Sequence, residues 1–265
     1  MATSNTHELW PNGVPGLDAA TPSFAPTLVS FPRTDGTVRG AVIVCPGGGY
    51  GGRAAHEADP IALYYHQQGF AAFVCHYRVA PYRHPYPSLD ARRAVRTVRA
   101  RAAEWGVKPD KIAILGFSAG GHLASTVATH PELPPAVDDA IERVSSRPDA
   151  AILCYPVISF GPHGHEGSAR NLLGDQLNDA TRKEFSNDLR VTAETPPCFL
   201  WHTADDAGVP VENSLHFAMA MRQHKLPFAL HVYPHGRHGL GLAPDEPQVS
   251  QWAPQSAAWL RSLGF

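Results

Sequence analysis

Residues 112–121 read Ile112-Ala113-Ile114-Leu115-Gly116-Phe117-Ser118-Ala119-Gly120-Gly121. A continuous apolar run passes through Gly-x-Ser-x-Gly into a stretch, Ala119 to Thr129, with the composition of a buried helix. The pattern predicts a strand that turns sharply into a helix, with Ser118 at the corner. Small neighbours two residues to either side are required because strand and helix crowd each other there. Such a turn lifts the hydroxyl out of the sheet. It also sets it at a helix N-terminus, whose partial positive charge favours an oxyanion. An ordinary glycine turn would look similar, so the reading depends on partners elsewhere in the chain.

Three further stretches supply them. Pro46-Gly47-Gly48-Gly49-Tyr50-Gly51-Gly52 follows the apolar run Ala41 to Cys45. Glycines bring backbone N–H groups close to a substrate, so Gly48 and Gly49, with the N–H of Ala119, are the expected oxyanion donors. Tyr50 is expected at the substrate side. A phosphate loop would need a Lys after the glycines, and none follows. Gly47, Gly49 and Gly52 match a dinucleotide fingerprint in spacing, but no acidic ribose partner lies about 20 residues on. In Thr203-Ala204-Asp205-Asp206-Ala207-Gly208-Val209-Pro210, a strand runs out into two adjacent carboxylates. Asp206, with its spacing to Pro210, is the preferred partner for an imidazole, and Asp205 is then a loop-structuring residue. In His235-Gly236-Arg237-His238-Gly239, His238 is the preferred base and His235 its competitor. The chain order is then Ser118, Asp206, His238, the order found in α/β-hydrolases.

Around these stretches, short apolar runs alternate with helical patterns. Leu28–Phe31, Ala41–Cys45, Ala71–His76, Ile112–Leu115, Ala150–Cys154, Cys198–Trp201 and Ala229–Tyr233 read as strands. Ala58–Gln68, Ser88–Trp105, Ala119–Thr129, Val211–His224 and Gln248–Ser262 read as helices. Nearly all-apolar strands alternating with helices imply a mainly parallel sheet covered on both faces. The 265 residues suit one such domain, 1–265. Residues 1–25, rich in Pro and Gly, are expected to be an irregular arm. Two segments break the alternation, Pro131–Pro148 and Ser159–Pro197, and residues 156–197 are expected to form a small partial cap over the strand ends.

Composition narrows the function. A net charge of −2 offers no field to draw nucleic acid or an anionic membrane, and neither is an expected partner. The richest basic patch, Arg92 to Arg101, carries an Ala/Val stripe and reads as the wet face of a helix. Cys45, Cys75, Cys154 and Cys198 lie in or beside buried strands without metal-ligand spacing and read as free thiols of a reducing compartment. The first residues, MATSNTHELWPNGVPG, show no basic segment followed by an apolar core, so a cytoplasmic location is expected. Among 15 histidines, His56, His122, His202 and His216 read as bystanders. His163, His165 and Glu166 cluster in sequence but lack a clear further ligand, so no metal is expected. Acyl transfer by serine needs no cofactor, and none is expected. The sequence does not specify an oligomeric state.

With these pieces placed, the chain resembles the small bacterial α/β-hydrolases of the acetyl-xylan-esterase-like group, relatives of the BD-FAE family and of the hormone-sensitive-lipase type. The resemblance runs through Leu9–Gly13, Pro46–Tyr50, Tyr77–Pro81, Gly116–Leu123, Asn171–Gly174, Trp201–Asp206, Val209–Ser214 and His238–Leu242. Pro46 stands where the hormone-sensitive-lipase group has His. The resemblance implies an α/β-hydrolase fold and a serine carboxylesterase with Ser118, Asp206 and His238 as triad. It also implies removal of acetyl or other small acyl groups from carbohydrate, such as acetylated xylo-oligosaccharide. An arylformamidase-like amidase or a peptidase of the same fold is the nearest alternative. A hydrolase-like binding protein with a dead site is the reading from another class.

Overall fold

A computed structural model of the chain describes residues 4–17, 24–31 and 36–265. Its strands are β1 (Asn5–Glu8), β2 (Thr27–Phe31), β3 (Arg39–Cys45), β4 (Ala71–His76), β5 (Val107–Phe117), β6 (Ala150–Cys154), β7 (Cys198–Thr203) and β8 (Phe228–Tyr233). They form one sheet in the order β1-β2-β4-β3-β5-β6-β7-β8. β1 and β2 are antiparallel to their neighbours, and β4 through β8 run parallel. The helices are α1 (Asp59–Gln67), α2 (Tyr86–Ala100), α3 (Ala119–Thr129), α4 (Glu166–Leu173), α5 (Asp179–Glu184), α6 (Glu212–Gln223) and α7 (Trp252–Ser262). This is the α/β-hydrolase arrangement, a mostly parallel sheet with helices on both faces.

The two-residue side-chain period of the strands divides the interior. In β3, Ala41, Ile43 and Cys45 join the core under α2 and α3, while Val42 and Val44 join the core under α1 and α7. In β5, Ile112 and Ile114 face the first core and Ala113, Leu115 and Phe117 the second. Both faces are buried, so the strands are apolar throughout rather than alternating. β5 lies between β3 and β6, at the centre of the sheet.

Two expectations fail. The arm expected to be irregular over 1–25 contains β1, paired with β2 in the register Asn5↔Ser30 to Glu8↔Thr27. Its side chains are mostly exposed and polar, so no alternation announces it. Residues 1–3 and 18–23 of that arm lie outside the described residues. The arginine face of α2 is not wet either: Arg92, Arg93 and Arg96 are 1%, 1% and 3% exposed. The segment between α3 and β6 folds over them. Arg93 meets Asp139 at 2.6 Å, Arg96 meets Glu142 at 2.8 Å, and the other Glu142 oxygen takes Arg93 at 3.3 Å. Arg92 donates to the Ser146 hydroxyl and the His130 carbonyl, both at 3.1 Å. Burial first, against the pull of Glu132, brings the Arg92 guanidinium down to about 10.

The insert between β6 and β7 carries α4 and α5, which sequence periodicity did not announce. It is pinned at its start and its middle. The buried Asn213 of α6 accepts the N–H groups of Ile158 and Ser159 and donates to the His163 carbonyl. Asn171 of α4 donates to the Gly49 carbonyl at 2.9 Å. The four cysteines are free and buried. Among the described residues, no helix is long and apolar enough to cross a membrane.

Candidate active site

The sheet brings the loops after β3, β5, β7 and β8 to one edge. Ser118, between β5 and α3, has φ 52° and ψ −118°, strained for a residue with a Cβ. The crossing is feasible because its neighbours are bare. A Cβ on Gly116 would stand 2.0 Å from the Gly120 carbonyl oxygen, and one on Gly120 would stand 2.2 Å from that of Cys45. The Ser118 N–H donates to the Cys154 carbonyl at 3.0 Å, and its carbonyl accepts from His122 and Val157. Backbone bonds on both sides therefore hold the strained corner.

The structure brings Ser118, His238 and Asp206 together. His238 Nε2 lies 2.8 Å from Ser118 Oγ, and Nδ1 lies 2.7 Å from Asp206 Oδ2. An ionised carboxylate can only accept, so Nδ1 of the neutral imidazole carries the proton and Nε2 accepts the serine hydroxyl. Asp206 is held from behind: its Oδ1 accepts the N–H groups of Gly208 at 2.8 Å and Val209 at 2.9 Å. His202 Nε2 approaches its Oδ2 to 3.6 Å. Burial would raise the Asp206 carboxyl, but His202, His238 and the Val209 N–H together hold it far below the ordinary carboxylate range. Asp206 is thus a fixed anion, and the proton in the chain sits on the imidazole or the serine. The competing pair is engaged elsewhere: His235 Nδ1 meets Asp205 Oδ2 at 3.0 Å on the exposed side of the same loops.

Opposite the serine lies the glycine run. Gly48 has φ 131°, and a Cβ there would stand 2.5 Å from the Gly52 carbonyl oxygen. The Gly48 carbonyl accepts from Gly51 and Gly52, closing the loop on itself. Among the described residues, the N–H groups of Gly48, Gly49 and Ala119 have no protein acceptor. Two unpaired donors in a glycine turn and one at a helix start beside a serine can receive developing negative charge.

Tyr50 stands apart from the role expected of it. Its ring is 1% exposed, and its hydroxyl meets His122 Nδ1 at 2.9 Å beneath the loop. His122 Nε2 lies 2.8 Å from the Phe185 carbonyl, an acceptor, so Nε2 carries the hydrogen and Tyr50 donates to Nδ1. Tyr50 therefore anchors the glycine loop from below rather than touching a substrate. Burial pushes the His122 ring down to about 3, opposed by its bond to Phe185. This histidine and His202, which meets Ser214 Oγ at 2.8 Å, are satisfied core residues.

Sequence reading missed Glu57 and Tyr155. Glu57 is buried; its Oε2 accepts the Gly47 N–H at 2.8 Å and its Oε1 accepts the Tyr155 hydroxyl at 2.6 Å. That hydroxyl in turn accepts the Gly241 N–H at 2.9 Å. The Tyr155 ring stands edge-on to the His238 imidazole, centroids 5.0 Å apart. Burial and then the Glu57 charge push the Tyr155 phenol well above its ordinary range, so it remains a donor. One carboxylate thus ties the oxyanion loop to the loop that carries His238. A carboxylate following a glycine loop has no local pattern that marks it as buried. The fold alone brings it there.

The BD-FAE family model matches residues 29–221. Endo-1,4-beta-xylanase B of Butyrivibrio fibrisolvens is 40% identical over 84% of this chain and 36% of its own length. Acetylxylan esterase of Xylanibacter ruminicola is 32% identical over 84% of this chain and 45% of its own. The chain thus spans less than half the length of these curated relatives. A crystal structure of an acetyl ester-xyloside bifunctional hydrolase from Caldicellulosiruptor lactoaceticus superposes with a TM-score of 0.94 at 48% identity, covering 98% of this chain and 97% of that one. The family match runs through the glycine loop and the serine corner, on a fold shared end to end with a solved hydrolase, and the chain belongs to the BD-FAE family of α/β-hydrolases.

Proposed function

We propose that this chain is a serine carboxylesterase that removes acetyl or other small acyl groups from carbohydrate, acetylated xylo-oligosaccharide being the leading substrate class. The observation that carries the reading is the unbroken hydrogen-bond chain from Ser118 through His238 to Asp206, at 2.8 and 2.7 Å. The substrate class draws on the acetylxylan esterase and acetyl ester-xyloside hydrolase among the relatives.

In this reading, Ser118 Oγ bonds to the ester carbonyl carbon as its proton passes to His238 Nε2. The carbonyl oxygen becomes an anion held by the N–H groups of Gly48, Gly49 and Ala119. Loss of one such donor costs about 2.7–4 kcal/mol of transition-state stabilisation. Collapse of the intermediate breaks the bond to the alcohol oxygen, which takes the proton from His238. Water then gives its proton to His238 and its oxygen to the acyl carbon, and departure of the carboxylic acid returns the proton to Ser118. Asp206 keeps the imidazole in the required tautomer and balances its charge. Residues 156–197 act as the partial cap, and 1–265 as one domain, a view supported by cores that draw on residues from Leu9 to Leu260. The buried thiols favour a reducing, cytoplasmic setting.

The test is acetate release from acetylated xylo-oligosaccharides beside hydrolysis of p-nitrophenyl esters of rising acyl length. The wild-type chain should prefer acetyl and release acetate from the sugar. Ser118→Ala should keep its fold and lose activity by several powers of ten. Preference for long acyl chains with no acetate from sugar would refute the carbohydrate reading, and near-normal turnover by Ser118→Ala would refute the serine.

A further inference from the structure

His163, His165 and Glu166 stand together in sequence, and the structure pulls them apart. The Glu166 carboxylate faces Arg170 and Arg182, each at 2.8 Å. The His163 ring packs against His216, centroids 5.5 Å apart. Among the described residues, no three His, Cys, Asp or Glu side chains converge in a way that could hold a metal. His165 alone turns toward the catalytic edge.

Its ring is locked. His165 is the N-cap of α4, and its Nδ1 accepts the Ser168 N–H at 3.1 Å with the Ser168 hydroxyl at 2.8 Å. A backbone N–H can only donate, so Nδ1 is the acceptor and the hydrogen of the neutral ring sits on Nε2. Among the described residues, Nε2 finds no acceptor. The ring edge lies against the oxyanion loop: a Cβ on Gly49 would stand 3.8 Å from His165 Cε1. The backbone beneath is held by Asn213 on one side and by the Asn171–Gly49 bond on the other. Burial first and then His238 lower the titration of this half-buried ring, which disfavours its protonated form. The ring therefore presents one fixed N–H donor without a protein acceptor beside the oxyanion loop.

We propose that His165 is a substrate-positioning residue whose Nε2–H donates to a hydroxyl oxygen of the alcohol portion, next to the ester being cleaved. The leaving oxygen must reach His238 Nε2 to be protonated, and in this assignment the alcohol portion extends from there along the oxyanion loop, where the His165 ring lies against Gly49. An acylated sugar presents a hydroxyl oxygen beside its ester, and a p-nitrophenyl ester does not. The assignment rests on the esterase reading above and adds to it the group that distinguishes a sugar from a plain alcohol.

The experiment compares the wild type with His165→Asn and His165→Gln on three esters. These are a monoacetylated methyl xyloside, its counterpart with the neighbouring hydroxyl replaced by hydrogen, and p-nitrophenyl acetate. Asn keeps a helix-capping oxygen while removing the far donor, so α4 stays anchored. Gln has a longer reach and retains an N–H. For His165→Asn, kcat/KM on the hydroxylated xyloside should fall on the order of tenfold, mainly through KM, as for the loss of a binding hydrogen bond. The deoxy ester and p-nitrophenyl acetate should change by less than about threefold, and His165→Gln should recover part of the loss. An equal loss on all three esters, or no loss on any, overturns the assignment. A wild type that ignores the hydroxyl while hydrolysing p-nitrophenyl acetate overturns it too and leaves the esterase reading standing. A wild type idle on every ester ends the esterase reading itself.

Discussion

Gly208 shows how closely the site is built. A Cβ at this position would stand 3.0 Å from both Cβ and Cγ of His238. Its N–H also orients Asp206 at 2.8 Å. Gly208→Ala should therefore fold normally and move the imidazole by a fraction of an ångström. Because displacement near 1 Å can cost about 100-fold, we expect kcat to fall roughly 10- to 100-fold with little change in thermal midpoint. Steady-state kinetics beside a melting curve checks this, and unchanged kcat would show that the loop absorbs the extra methyl. At this scale the sequence was readable where chemistry imposes a short motif. Ser118 sits in Gly-x-Ser-x-Gly, and His238 and Asp206 lie in loops just after strands. Glu57 and Tyr155 were not readable, because their roles come from contacts such as Glu57–Gly47 and Tyr155–Gly241 that no local spacing encodes. Tyr50 was misread for a related reason: its neighbours in sequence approach the substrate side, but its own ring turns down to His122.

Among the elements, those buried on two faces were the legible ones. β3, β6 and the second half of β5, from Ile112, are apolar runs buried on both sides of the sheet. α4 and α5 are short, lie partly exposed, and owe their place to Asn171, Asn213 and the Asn178 capping box rather than to an apolar stripe. The burial of the α2 arginines is invisible in the helix taken alone, because Asp139 and Glu142 arrive from a segment 46 residues on. That cluster predicts its own fragility. Glu142 receives both Arg93 and Arg96, and all three side chains are nearly fully buried. Burial of a charge without its partner is costly, so Glu142→Ala should destabilise the fold by about 3–5 kcal/mol. Urea unfolding followed by far-ultraviolet circular dichroism gives the number. A loss under about 1 kcal/mol would mean that Asp139 and Glu132 suffice to hold the two guanidinium groups.

Across the whole molecule, histidine burial sets the acid limit. His122 is held down to about 3 and His130 to about 4, in both cases chiefly by burial. His7, His76, His84, His165 and His231 are lowered in the same direction, again by burial first. In the unfolded chain these rings take up a proton below about 6.5. The unfolded state then binds more protons than the folded one, and stability falls as pH drops from 6.5 toward 4. Above 6.5 the rings are neutral in both states and contribute no slope. His122 and His130 alone should remove on the order of 2 kcal/mol each by pH 4.5. Asp206, lowered when folded, adds its own loss only below its ordinary carboxylate range. Denaturant midpoints taken from pH 8 to 4.5 should be level at the upper end and fall below 6.5. A flat profile would contradict neutral, buried rings.

The same global arrangement joins residues far apart in the chain at one sheet edge, and the account stands on that convergence. Its most direct test is covalent labelling with a fluorophosphonate, followed by peptide mass analysis and residual esterase activity. One adduct per chain should form, on the peptide bearing Ser118, in proportion to lost activity, with Ser118→Ala and His238→Ala unlabelled. Full inactivation with Ser118 unmodified, or full labelling of Ser118 with activity intact, would contradict it.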